Sequence, residues 1–273
     1  MSALETLPRA AGGDDGTLLG LGVRFHRDGF LILPDILTEQ EVVALAGAVE
    51  EVFARPSSDA EAFGMAGSWR PRMFEEDPIF EMLIDREPVI GLIESLLGAD
   101  CHLIAMNAMR TAAGDEISKW HADDEIRLPL PRGLALDAAI DSPCFVISVN
   151  YYLTDVDADS GGTEFVPGSH RAGRQPGPED FDAEGNPLFH GRRAVQAMGR
   201  RGTAVMWNDQ VWHRGGLNRT ERTRLVQQVT YGRRFMAQRF YPFAAYALPQ
   251  AVLGRAGPRR RRLLGLHGHG AYG

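Results

Sequence analysis

Cysteine is nearly missing from this chain: Cys101 and Cys144 are the only two in 273 residues. They form no C-x-x-C pattern. A disulfide framework and a cysteine-built zinc site are therefore excluded, and reduced, buried thiols are expected. Lysine is scarcer still, with Lys119 alone, so arginine carries nearly all the positive charge. That charge is outweighed, and the net charge of −7 argues against a general nucleic-acid binder. The one basic run, Arg259 to Arg262 followed by Leu263 and Leu264, reads as a solvated helix face ahead of a phosphate-binding patch. No long apolar run is present. Leu18 to Val23 is too short to span a bilayer and is broken by glycines, and the N-terminus lacks a basic segment followed by an apolar one. A cytoplasmic protein with no membrane partner is expected. Two further motifs are missing. No G-x-S-x-G elbow supports a serine hydrolase, and Gly20-Leu21-Gly22 lacks the spacing of a nucleotide-binding loop.

What remains is an ordinary globular composition, 44% hydrophobic and 24% charged. Residues 1–20 are rich in Ala, Gly and Asp and are expected to be a disordered tail. Residues 21–273 read as a single domain. Asp28-Gly29 makes a turn before a short strand, Phe30 to Leu33. Thr38 and Glu41 form a capping box that opens a helix with apolar residues at 42, 45, 46, 49, 52 and 53. Residues 56–76 read as loop. Asp77-Pro78 restarts helix. Pro88 opens another, which stops at Gly98.

From residue 102 the pattern changes to strands. His102 to Met109 is one. A Pro-rich insertion at 124–143 reads as a lid. Phe145 to Leu153 is the clearest strand: Phe145, Ile147, Val149, Tyr151 and Leu153 make an apolar face. Val146, Ser148, Asn150 and Tyr152 make a face polar enough to line a wet cavity. Thr163 to Val166, Gly202 to Trp207 and Thr223 to Tyr231 follow. Residues 171–199 read as loop, and the tail turns helical near Pro258. Short strands bounded by Gly and Pro predict a mainly β fold with flanking α-helices, a sandwich or barrel of which the jelly roll is one form.

Chemistry concentrates at Ser118-Lys119-Trp120-His121-Ala122-Asp123. On a strand, residues two apart point to one face. An imidazole and a carboxylate would converge there. A second His would complete the 2-His-1-carboxylate set that suits non-haem Fe(II) and O2 chemistry. His213, beyond a strong strand and a turn, is the best candidate. Eleven residues on, Arg224 lies in a strand. A buried arginine needs a partner, and its planar fork suits a carboxylate. Trp120 and Trp212 flank the proposed ligands, with packing the default role and support of the ligands the sharper one. Arg110 and Lys119 are candidates for meeting an anionic substrate, or solvated charges. His267 and His269 form a tail read as flexible. Two other classes stay open: a metal-dependent hydrolase or isomerase on the same barrel, which needs no Arg224, and a catalytically silent ligand-binding module.

His121-Ala122-Asp123, His213 and Arg224, in that order, resemble the phytanoyl-CoA dioxygenase family of Fe(II)/2-oxoglutarate oxygenases. Asn150 to Asp155, through Gly161-Gly162 to Pro167-Gly168-Ser169-His170, is similar to that family's middle strand and Pro-Gly-Ser-His turn. Asp28-Gly29-Phe30 and the capped helix resemble its beginning. The likeness spans about residues 22 to 240. It implies a double-stranded β-helix (jelly-roll, cupin-like) core forming one dioxygenase domain. It implies Fe(II) on His121, Asp123 and His213, with Arg224 on the distal carboxylate of 2-oxoglutarate. Thr163 would help hold the co-substrate. Thr111 is a further candidate, where related proteins often carry an amide. His170 is expected to make a structural hydrogen bond. The implied activity uses O2 to hydroxylate an unactivated C–H bond of a small-molecule metabolite, releasing succinate and CO2. Related halogenases lack the carboxylate, so Asp123 favours hydroxylation.

Overall fold

The computed structural model describes residues 16–123 and 143–269. The expected lid over 124–143 thus lies, but for Pro143, outside the described residues. So does most of the expected N-terminal tail. The remainder of that tail differs from expectation. Thr17 caps a helix, α1 (Leu18–Asp28), whose Leu21 and Phe25 are buried. Gly20 and Gly22 weaken its helical signal, and packing of one face decides the conformation.

The chain continues through β1 (Phe30–Leu33), α2 (Glu39–Phe53), α3 (Ser58–Ala62), β2 (Trp69–Arg70), α4 (Met73–Glu76) and α5 (Val89–Leu97). Then come β3 (His102–Thr111), β4 (Ile117–His121), β5 (Val146–Tyr152) and β6 (Thr163–Phe165). The short β7 (Leu188–Phe189), β8 (Arg192–Arg193) and β9 (Val195–Gln196) precede β10 (Ala204–Asn208), β11 (His213–Gly215) and β12 (Arg224–Gly232). Helices α6 (Gln250–Arg255) and α7 (Pro258–Leu263) complete it. Segments 56–76 and 171–199, expected as loop, carry these short elements, which are too brief to show a period. Pro78–Leu83 is a 3-10 turn capped by Asp77.

The strands form a six-stranded sheet, β1-β10-β5-β12-β3-β2, and a four-stranded sheet, β4-β11-β6-β9. Their pairings are antiparallel. The alternation of β5 divides the core. Ile147, Val149 and Tyr151 pack outward against Leu45, Val49, Ile90 and Ile93 of α2 and α5. Tyr152 packs inward with Phe165, Val205, Trp207 and Val226, so side chains of both sheets meet between them. The capping box of α2 is present: Thr38 N–H donates to Glu41 at 2.8 Å, and Glu41 N–H donates back to Thr38 Oγ1 at 3.3 Å.

The basic run is neither a phosphate patch nor, except at exposed Arg261, the solvated helix face that was expected. Arg259 pairs with Glu87 and Glu94 at 2.5 and 2.6 Å, and Arg260 pairs with Asp85 at 2.7 Å. Arg262 pairs with Glu94. These ion pairs, with buried Leu263 and Leu264, dock α7 beside α5. Arg110 likewise faces away from any site, with Glu50 at 3.8 Å and the Phe53 ring beneath it. His267 is not loose: its Nε2 lies 3.2 Å from Nδ1 of His102. Both cysteines are free and buried.

His170 is 2% exposed, and its Nε2–H donates to the His26 carbonyl at 3.1 Å. Its ring lies against Gly29, whose φ is +84° and where an added Cβ would come 2.5 Å from Nδ1. The Asp-Gly turn therefore accepts only glycine, for its backbone angle and for the close approach. Burial pushes the His170 imidazole down to about 4, whereas an unfolded imidazole titrates near 6.5. The unfolded chain binds the extra proton between those values. Stability from this residue is therefore present above pH 6.5 and lost as pH falls towards 4, by about 3 kcal/mol in all. Denaturant unfolding across that window should show His170→Gln, though less stable at pH 7, losing stability less steeply than the wild type.

Candidate metal centre and co-substrate pocket

Strand β4 pairs with β11 so that His213 stands opposite His121. Both imidazoles point between the sheets, with ring centroids 4.3 Å apart. Asp123 follows just past the end of β4, its backbone N–H held by the Asp209 carbonyl at 2.8 Å. Its two carboxylate oxygens lie 3.4 Å from His121 Nε2 and 3.5 Å from His213 Nε2. One ligand atom from each of the three falls within 4.8 Å of the others. Among the described residues this is the sole such group of three.

The backbone sets the tautomers. His121 Nδ1 lies 2.9 Å from the Lys119 carbonyl, and His213 Nδ1 lies 2.9 Å from the Val211 carbonyl. A carbonyl only accepts, so each Nδ1 carries the proton and each Nε2 turns a lone pair to the centre. Burial, the strongest influence on His213, pushes its imidazole down and favours the neutral, ligating form. Without a cation, a hydrogen bond from Nε2–H to Asp123 pushes His121 up, and an arriving metal ion would displace that proton to meet the lone pair. Burial works against the charge on Asp123, but His213 and His121 outweigh it and hold the carboxyl below its usual range. Two neutral imidazoles and one hard carboxylate on a single face fit an Fe(II) ion with open positions.

Outward-facing neighbours back this face. Trp120, Ala122 and Trp212 alternate with the three inward residues and pack with Val166, Ala172 and Phe189. Trp212 is fully buried, and its Nε1–H donates to the Arg174 carbonyl at 2.7 Å. The two tryptophans therefore pack directly behind the ligands.

Arg224 opens β12 opposite Thr111 on β3. Its Nη2 donates to Thr111 Oγ1 at 3.0 Å, and Nη1 donates to the Gly161 carbonyl. Gly161 has φ +70°, and a Cβ there would come 2.4 Å from the Gly216 carbonyl oxygen. Burial pushes the Arg224 guanidinium down. Its Nε is buried without a partner, and among the described residues no carboxylate pairs with it. Such a cation is costly unless an anion arrives. Thr163 is buried opposite Gly215 and alternates with Glu164, which pairs outward with Arg214 at 3.0 Å. It therefore faces the interior with Phe165. The structure thus gathers His121, Asp123 and His213 in one cluster and Arg224 with Thr111 in another, with His170 apart from both.

The sequence reading had not singled out Asn150 and Trp207 as site residues. Both face the interior, and Asn150 Oδ1 and Trp207 Nε1 are buried without a hydrogen-bond partner. The Trp207 ring centroid is 5.7 Å from that of His213. The polar face of β5 was the available signal for Asn150; Trp207 offered none. The Trp207 Nε1–H and the Arg224 Nε–H are donors and fit an anionic co-substrate in the interior, whereas Asn150 Oδ1 accepts and calls for a donor.

Two clefts lie elsewhere. One of about 210 Å³ reaches Arg224 past Leu153, Ser160 and Arg222. Another of about 530 Å³ runs along Phe30, Ile32 and Met198. Neither includes His121, Asp123 or His213, so the donor geometry, and not cavity size, marks this candidate centre.

Over residues 25–226 the chain matches the family described as phytanoyl-CoA dioxygenase (PhyH). The protein belongs to the phytanoyl-CoA dioxygenase family. It is accordingly a 2-oxoglutarate-dependent dioxygenase that uses Fe(II) and O2. It is 24% identical to the L-proline trans-4-hydroxylase of Streptomyces griseoviridis over 250 residues, covering 79% of this chain and 87% of that one. It is 29% identical to the ectoine dioxygenase of Nocardia farcinica over 161 residues, 54% of this chain and 49% of that relative's length. Among solved structures, HygX from Streptomyces hygroscopicus, with nickel, 2-oxoglutarate and hygromycin B bound, superposes with a TM-score of 0.61 at 19% identity, over 78% of this chain and 86% of that one. The epimerase SnoN, in complex with Fe3+ and alpha-ketoglutarate, gives 0.60 at 19%, over 85% and 92%. These likenesses establish the jelly-roll fold of the dioxygenase. Among its described residues, no helix is long and apolar enough to cross a membrane.

The unpartnered cation gives a direct expectation. 2-Oxoglutarate should raise the melting temperature of the metal-loaded dioxygenase. In Arg224→Met that increment should vanish while Co(II) binding persists. Thermal shift measurements with and without 2-oxoglutarate check both.

Proposed function

We propose that this dioxygenase hydroxylates a C–H bond of a small, polar metabolite, with Fe(II) held by His121, Asp123 and His213. In the same reading Arg224, with Thr111 and Thr163, receives the distal carboxylate of 2-oxoglutarate. The observation that carries the proposal is the convergence of two neutral imidazoles and a carboxylate, with atoms within 4.8 Å, on the inner face of a jelly roll. The half-buried Arg224 without an acidic partner supports the co-substrate site, and a metal-dependent hydrolase or isomerase would not need it.

When bound, Fe(II), 2-oxoglutarate and O2 supply the oxidising chemistry, releasing succinate and CO2 as the substrate gains a hydroxyl. The chain's own residues prepare that chemistry. The Lys119 and Val211 carbonyls hold the Nδ1 protons and so aim both Nε2 lone pairs. Asp123 brings one negative charge, which offsets part of the metal's charge and fills a position that an external anion would otherwise take. Arg224 orients the co-substrate by a fork-to-carboxylate pair. Phe165 and Trp207 wall the centre beside His213, with ring centroids 6.0 and 5.7 Å from it, and restrict water.

The relatives named for L-proline and ectoine act on small zwitterionic molecules, which motivates a first substrate panel of amino acids and cyclic amidines. The epimerase among the structural neighbours shows that this fold also serves other outcomes. Product analysis must therefore distinguish hydroxylation from desaturation, ring closure and epimerisation.

The test is anaerobic. Fe(II) and 2-oxoglutarate added to metal-free protein should produce a visible metal-to-ligand charge-transfer band. Asp123→Ala and His213→Ala should each lose the band, and succinate formation in air should fall to background. A folded, iron-loaded wild type with neither band nor succinate would sink the assignment.

A further inference from the structure

We propose that Gln175 is a positioning residue for the metal centre, clamping the backbone between its two adjacent ligands. The inference rests on the metal site proposed above. Strand β4 ends at His121, the last residue of that strand paired with β11. Ala122 therefore lies beyond the ladder, yet it sets the separation of His121 and Asp123. The Gln175 side chain supplies the missing partners. Ala122 N–H donates to Gln175 Oε1 at 2.8 Å, and Gln175 Nε2–H donates to the Ala122 carbonyl at 2.7 Å. A side-chain amide has the same donor and acceptor pair as a peptide group, so Gln175 acts here as one more residue of a neighbouring strand.

The same segment grips the other ligand strand. Ser169 Oγ accepts from Trp212 N–H at 2.7 Å and donates to the Val166 carbonyl at 2.7 Å. The Arg174 carbonyl accepts from Trp212 Nε1–H. Arg174 is in turn locked by a two-pronged pair with Asp180, at 2.5 and 3.0 Å. Residues 169–175 thus hold Trp212, next to His213, and Ala122, between His121 and Asp123, from behind the sheet. None of these side chains would touch the metal. Their effect is on how closely the three ligand atoms stay converged before an ion arrives, and ligand sets tolerate only about 0.5 Å of misplacement.

Gln175 is half-buried, and methionine has nearly its shape without either hydrogen bond. Titration of metal-free protein with Co(II) should give Gln175→Met a Kd weaker by about 10- to 100-fold, the usual scale for groups that orient ligands. The metal-free variant should melt within a few degrees of wild type. Gln175→Asn, one methylene too short to make both contacts, should shift in the same direction and carries the test if the methionine variant does not fold. His213→Ala serves as reference for the site itself. If His213→Ala loses Co(II) while both Gln175 variants keep the wild-type Kd, the clamp is overturned and the metal site stands. Affinity that falls only in step with the melting temperature of the metal-free protein also overturns it. If His213→Ala binds Co(II) as the wild type does, the metal site fails and the inference falls with it.

Discussion

The antiparallel pairing of β4 with β11 is the constraint on which the rest of this molecule depends. It sets His121 opposite His213. Because successive side chains on a strand alternate, the same register turns both histidines inward and both preceding tryptophans outward. A slip of one residue would exchange them, placing indoles at the centre and imidazoles in an apolar cluster. The packing of Trp120 and Trp212 with Val166, Ala172 and Phe189 therefore guards the register of the chemistry as well as burying area.

The large sheet has a comparable division of labour. Its outer face meets the helices through an extended apolar core, which supplies the stability. Its inner face keeps polar atoms that the protein leaves unmatched: Asn150 Oδ1, Trp207 Nε1 and Arg224 Nε. Each unmatched buried group costs on the order of 1–3 kcal/mol. A fold with a core of this size can carry that cost, and a bound anion would relieve the part due to the two donors, Trp207 Nε1 and Arg224 Nε. Contrast the arginines of α7. Arg259, Arg260 and Arg262 are paired with Glu87, Glu94 and Asp85, and they serve docking. Arg224 and the arginines of α7 thus sit in opposite environments, one without an acidic partner and the others in a structural joint.

Much of the centre was legible in the chain order of residues. The His-x-Asp spacing, the later histidine and the arginine eleven residues beyond it are local or nearly local patterns. The alternation in β5 foretold which face would carry polar groups into the space between the sheets. The capping box at Thr38 and Glu41 and the stop at Gly98 are likewise local, because caps and turns depend on a few neighbouring residues. The helix at Leu18–Asp28 was missed for the complementary reason: two glycines weaken its propensity, and only burial of Leu21 and Phe25 holds it.

The sequence by itself determined the donor types, their order, and the strand periodicity that sends alternate side chains to opposite faces. Those follow from covalent geometry and hydrogen-bond chemistry over a few residues. Tertiary structure alone decided that Thr111 meets Arg224, that Trp207 lines the interior, that Gln175 reaches Ala122, and that Arg259, Arg260 and Arg262 find acidic partners. Each of these joins residues 53 or more positions apart, or turns on which face of a sheet another element covers. Such pairings depend on the register of the whole sandwich, and no local pattern encodes it.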